Sequence, residues 1–255
     1  MNYKSFFFFS LIVILWITCS QKSFSQDTSL YIPRNILKAY HDSTRAYNGA
    51  PGSKYWQNRA DYKIDVKLDP PSRIVTGHEI ITFFNESPNT LKSLVFRLYQ
   101  NLYKKGNIRD IPIDSSDLTD GVKIYEMIID SNKVDLSSNS REILRKGTNL
   151  FVRLKKPFFP KDTMHIQFKW SFKLPFKTDI RMGAKDSTSF FVGYWYPQIS
   201  VYDDIDGWDT FAYTAQQEFY NNYGNFEVSI QVPKNFIVWA TGVLQNPDSV
   251  LNNKY

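Results

Sequence analysis

From residue 62 the chain alternates apolar and polar positions, with Tyr62, Ile64, Val66 and Leu68 interleaved with Lys63, Asp65 and Lys67. A period of two sends successive side chains to opposite faces of an extended backbone, so this run predicts a half-buried strand closed by Pro70 and Pro71. The β-branched and aromatic run Ile74–Phe84 predicts a second strand, ended by turn residues between Asn85 and Asn89. The two are expected to pair antiparallel. The segment 91–102 continues with Leu94, Phe96 and Leu98 on one face, and the runs 122–129, 149–154, 164–172, 190–195, 211–219 and 226–232 repeat the same short, turn-bounded habit. A helical period is nearly absent, apart from a short helix expected within 34–46. The pattern predicts an all-β fold, an antiparallel sandwich or saddle of about nine or more strands with a short N-terminal helix.

The first residues carry a different signal. Lys4 is followed by the apolar run from Phe6 to Ile17 and then by a polar stretch in which Ser23 and Ser25 are small, which reads as an export signal over residues 1–25. Such a run is shorter than the roughly 20 residues a membrane-spanning helix needs, so no transmembrane helix is expected in the mature chain. The mature chain is then exported, periplasmic or extracellular, and begins near Gln26. Cys19, the one cysteine of the sequence, supports a second reading, a lipoprotein anchored there. With cleavage after Ser25 no cysteine remains, and stability rests on a packed core rather than on disulfides. The composition permits one: 42% of residues are hydrophobic and 16% aromatic, and 230 residues of the 255 remain after the leader. Loss of Lys4 and Lys22 with the leader takes the net charge from +6 to +4, spread along the chain without a cluster beyond Lys155, Lys156 and Lys161. That distribution argues against a nucleic-acid partner, which needs basic side chains gathered on one face.

Among residues able to carry chemistry, His78 and Glu79 stand out, because zinc peptidases present His-Glu-x-x-His on a helix with the histidines at i and i+4. The fifth position here is Thr82, and the β-branched setting is a strand, where i and i+4 lie about 13 Å apart. The expectation is a histidine at a sheet position beside a solvated glutamate. His41 and His165 are isolated. The segment from Tyr202 to Asp209 holds Asp203, Asp204, Asp206 and Asp209, a density of carboxylates compatible in principle with a hard cation. Its spacing differs from that of a helix-loop-helix calcium site, so a turn with carboxylates capping backbone N–H groups is expected. No catalytic residue, cofactor site or metal-ligand set is expected in this chain. Aromatic residues are dense between Phe190 and Tyr223. Such side chains serve either as core and interdomain contact or as a platform for a ligand.

Three stretches carry a resemblance to a family. The run RIVTGHEIITFFNESPNTLKSLVFRLYQN from Arg73 to Asn101 resembles the early strands of aminopeptidase-N-like zinc metallopeptidases, where a strand, an Asn/Ser/Pro turn and a Leu-x-Phe-x-Leu strand build a saddle-shaped N-terminal domain. GYWYPQ from Gly193 to Gln198, with VYDDIDGW from Val201 to Trp208, is similar to a segment of the bacterial branch. GNFEVSIQVPK from Gly224 to Lys234, with ATG from Ala240 to Gly242, resembles the strand pair closing the same domain. The resemblance implies this organisation: a leader (1–25), an N-terminal arm (26–58), a non-catalytic β domain (59–247) and a tail (248–255) toward a catalytic domain absent from this chain. It implies a catalytic metallopeptidase domain as partner and zinc only there, carried by His-Glu-x-x-His and a downstream Glu. Peptide substrates belong to the full enzyme alone. Trp195, Tyr196, Pro197, Gln198, Tyr202, Asp203, Asp204 and Trp208 are the expected interface or cleft-rim residues. The alternative expectation is an independent exported β-sandwich module that recognises glycan or peptide through its aromatic residues.

Overall fold

The computed structural model describes residues 31–176 and 181–251. The expected leader, Cys19, the start of the arm and the last four residues lie outside them. By compactness the chain divides into a unit of residues 1–37, of which 31–37 are described, and a unit of residues 38–255. Helix α1 (Arg34–His41) ends earlier than the segment 34–46 allowed, and Ser43 beyond it takes a left-handed φ of 61°.

The strands are β1 (Arg59–Asp69), β2 (Ile74–Phe84), β3 (Leu91–Arg97), β4 (Lys123–Ile129), β5 (Asn132–Lys133), β6 (Ile143–Lys146) and β7 (Asn149–Phe158). They continue as β8 (Thr163–Lys173), β9 (Met182–Ala184), β10 (Phe190–Val192), β11 (Gln198–Ile199), β12 (Tyr202–Asp203), β13 (Gly207–Trp208) and β14 (Phe226–Gln231), before a four-residue helix α2 (Pro247–Val250). Six form one sheet in the order β14-β1-β2-β8-β4-β5, and four form a second, β11-β3-β7-β6; β9 with β10 and β12 with β13 make two small ribbons. The two large sheets face each other across one core: Phe96 of β3 meets Phe168 of β8 edge-on at 5.0 Å, and Ile64, Ile81, Leu94, Leu150 and Ile166 are buried around them. The protein is all-β, as the alternation predicts.

Four features depart from the expectation. First, β14 pairs with β1 in parallel, whereas β1–β2, β2–β8 and β4–β8 are antiparallel. Second, the strand from Leu91 stops at Arg97, and Tyr99–Tyr103 forms a 3-10 turn whose five residues are all buried. Third, 211–219 is not a strand. Its backbone is held instead by side chains and a loop: Tyr213 N–H donates to the Thr148 hydroxyl at 2.7 Å, and the Thr214 carbonyl accepts from Asp110 N–H at 2.9 Å. Fourth, Glu79 is not solvated. On β2 the buried positions are Val75, Gly77, Glu79, Ile81 and Phe83, so the pleat that exposes Thr76 turns Glu79 into the core. Gly77 is required on the same face, because a Cβ there would lie 2.2 Å from the Trp170 ring.

Candidate functional site

The acidic segment folds into the ribbon of β12 and β13, in which Tyr202 faces Trp208 and Asp203 faces Gly207. Gly207 takes φ 74°, a left-handed turn position that glycine adopts without a Cβ penalty. Asp203 Oδ1 accepts from Ile205 N–H at 3.0 Å and Asp206 N–H at 2.8 Å, the backbone capping expected of such a turn, and its Oδ2 accepts from the Tyr220 hydroxyl at 2.6 Å. Asp204 reaches Arg45: Nε donates at 2.9 Å to Oδ2 and Nη2 at 2.6 Å to Oδ1, a two-pronged contact. Burial works against the Asp204 charge, but the hydrogen bonds from Arg45 and Thr44 outweigh it and hold the carboxyl below its ordinary pKa. Asp209 is committed elsewhere. It lies 2.5 Å from Arg97 Nη2, both side chains being buried, in an ion-pair contact without hydrogen-bond alignment at that nitrogen. Arg97 Nη1 donates to Asn149 Oδ1 at 2.6 Å and to the Phe211 carbonyl. Three of the four carboxylates, Asp203, Asp204 and Asp209, are therefore divided among a turn cap, a tyrosine and two arginines. Among the described residues no group of three or more His, Cys, Asp or Glu side chains is placed to hold a metal ion.

The aromatic candidates pack inward. Trp195 lies 6.0 Å from Trp170 and 5.1 Å from Tyr196, while Tyr196 meets Tyr62 edge-on at 5.3 Å. Pro197 and Gln198 are buried, and Gln198 pairs with Arg97 in the β11–β3 ladder. Tyr202 stacks on Trp56 at 5.7 Å, and its hydroxyl accepts from Asn89 Nδ2 at 3.0 Å. Trp208 lies 6.2 Å from Phe83. The eight expected rim residues thus form one half-buried to buried seam along the segment 195–208, anchored by Arg45 and Arg97. Neither arginine was singled out as functional from sequence. For Arg97 a signal existed, since it stands inside the apolar run from Leu94 to Leu98; for Arg45, which meets Asp204 from 159 residues away, there was none.

His78 and Glu79 do not fit a zinc ion. They point to opposite faces of β2, with His78 half-buried on the outer face and Glu79 in the core, and Thr82 bonds His165 Nδ1 at 3.3 Å. Among the described residues neither Glu79 carboxyl oxygen has a hydrogen-bond partner, and burial pushes its pKa well above 4.5. Tyr62 and Tyr196, themselves shifted upward mainly by burial, are close enough to sense its charge.

A different surface is uncovered. Beyond β14, Ile237 is 55% exposed, Trp239 93%, Val243 82% and Leu244 48%. No helix among the described residues is long and apolar enough to cross a membrane.

No family model and no curated protein matches the chain. Solved structures do. An M1 zinc metallopeptidase from Deinococcus radiodurans is 13% identical with a TM-score of 0.30, the match covering 51% of this chain and 23% of that one. Legionella pneumophila aminopeptidase A, in complex with aspartic acid, is 9% identical with a TM-score of 0.31, over 50% of this chain and 13% of that one. The match therefore spans less than a quarter of the length of either, and the likeness is a distant one.

Proposed function

We propose that this chain is a non-catalytic β domain of an exported, aminopeptidase-like zinc metallopeptidase, packing against a catalytic domain and framing its substrate cleft. The observation that carries the reading is the uncovered apolar stretch from Ile237 to Leu244, in which Trp239 is 93% exposed. Contiguous apolar surface of this kind marks a contact with another domain or protein. The stretch includes the ATG sequence, one of the three that resemble the aminopeptidase-N-like enzymes. The seam from Trp195 to Trp208 supplies the rim in this reading: its aromatic rings are backed by core and its turn is fixed by the Arg45 and Arg97 ion pairs, so it offers a stiff edge to a neighbour. Zinc and peptide belong to the catalytic partner, because a metal ion that activates water needs three protein ligands with an open position, and His78 and Glu79 stand on opposite faces of their strand.

The test has two arms. Purified alone, the chain is expected to bind zinc far below one equivalent and to leave aminoacyl p-nitroanilides intact; one zinc per chain with turnover overturns the reading. Sequencing the reading frame beyond residue 255 is expected to reveal His-Glu-x-x-His with a downstream Glu, and a frame without them overturns it as well.

A further inference from the structure

Among the described residues the outer edge of β14 carries both an unpaired backbone and an uncovered apolar row. Phe226, Val228 and Ile230 lie in register with Tyr62, Ile64 and Val66 of β1, so they share the face that those buried residues turn to the core. The ring of Phe226 stacks on that of Tyr62 at 4.8 Å with planes 3° apart. Yet Phe226 is 49% exposed and Val228 and Ile230 are each 39% exposed at this edge of the first sheet. The parallel ladder fixes which backbone groups are free. Tyr62 N–H donates to the Asn225 carbonyl at 2.8 Å. Strand alternation then directs the backbone groups of Glu227, Ser229 and Gln231 toward β1 and those of Phe226, Val228 and Ile230 outward. Exposed edges of this kind are ordinarily blunted by lysine, proline or a bulge, and the segment from Phe226 to Gln231 contains no lysine or proline.

We infer that this edge pairs with the same edge of a second copy of the chain, antiparallel about a two-fold axis through Val228. The edge is self-complementary. Directly opposed residues of an antiparallel pair point to the same face, so only registers with an even sum of positions keep the apolar row continuous. Setting Val228 opposite Val228 of the second copy meets that condition. It also places Phe226 opposite Ile230, and it makes all three outward-facing residues hydrogen-bonded positions, for roughly six new backbone bonds. On the other face Glu227 stands opposite Ser229, not opposite another carboxylate, and its charge is already met by Lys63 at 2.7 Å. The two copies then form one continuous sheet of twice six strands. This goes beyond the metallopeptidase-domain reading and does not rest on it. Its failure leaves the zinc and reading-frame tests unaffected.

The experiment uses the full chain. Sedimentation at about 100 μM is expected to show a dimer, and Val228→Pro is expected to return it to monomer with its folded spectrum retained, because the N–H removed points away from β1. In a Cys19→Ser background, Val228→Cys is expected to form a disulfide-linked dimer on mild oxidation, while Phe226→Cys, offset from its own copy by four residues across the axis, is not. A monomer at that concentration, a dimer that survives Val228→Pro with a folded spectrum, or equal crosslinking by both cysteine variants overturns the inference.

Discussion

Buried ionisable groups behave in two opposite ways at the scale of single residues. Glu79 is a core carboxyl with no hydrogen-bond partner among the described residues, so burial favours its neutral form and raises its pKa in the folded state above the 4.5 of the open chain. The unfolded chain releases this proton near pH 4.5 while the folded one retains it, so folding binds a proton and stability falls as pH rises from there. The loss is bounded by about 1.4 kcal/mol per pH unit until the folded pKa is reached. Denaturant titrations between pH 5 and pH 8 are expected to show Glu79→Gln gaining stability relative to the parent as pH rises; parallel curves for the two proteins would count against the assignment. Arg97 and Asp209 instead compensate each other. Arg97→Ala strands a carboxylate and leaves Asn149 Oδ1 and the Phe211 carbonyl without a donor, for a loss of about 3–5 kcal/mol in urea unfolding. Arg97→Met combined with Asp209→Leu removes both charges and is expected to recover most of that loss.

At the scale of elements the outcome turns on which partner a backbone finds. Runs with strict alternation were legible in the sequence: the predicted 74–84 matches β2, and 62–68 lies within β1. Counting faces along β2 would also have placed Glu79 inside, since it shares a parity with Val75, Ile81 and Phe83. The ladder β14–β1 was not legible, because its pairs, such as Tyr62 with Phe226, are 164 residues apart and no turn chemistry joins them. Nor was the fate of 211–219, whose aromatic composition favours a strand but whose backbone groups are taken by Thr148 and Asp110. In the candidate seam the turn capping by Asp203 was readable from local spacing. The arginine partners of Asp204 and Asp209 were not, because ion pairs across the fold leave no local pattern. Parallel docking of β14 depends on Gly224, where a Cβ would lie 1.8 Å from the Ala60 carbonyl oxygen. Gly224→Ala is therefore expected to detach β14 from β1. Hydrogen exchange would then show lost protection at Glu227 and Ser229 with protection retained in β2 and β8; unchanged protection in β14 would mean the backbone shifts to absorb the methyl.

For the whole molecule, the balance between core and uncovered surface decides how the chain behaves alone. The shared core of the two large sheets needs nothing from the stretch 237–244, whose Trp239 and Val243 are mostly in water. Covering a side chain as large as Trp239 is worth on the order of 3 kcal/mol, a driving force that any apolar contact can satisfy when the intended one is missing. Trp239→Ser with Val243→Ser is accordingly expected to lower light scattering and raise the solubility limit, while stability changes by no more than about 0.5 kcal/mol, as for surface positions. If the double variant instead melts several degrees earlier, these side chains are packed in solution. The apolar stretch would then be part of this fold and not a face awaiting a neighbour, and the domain reading would lose the observation that carries it.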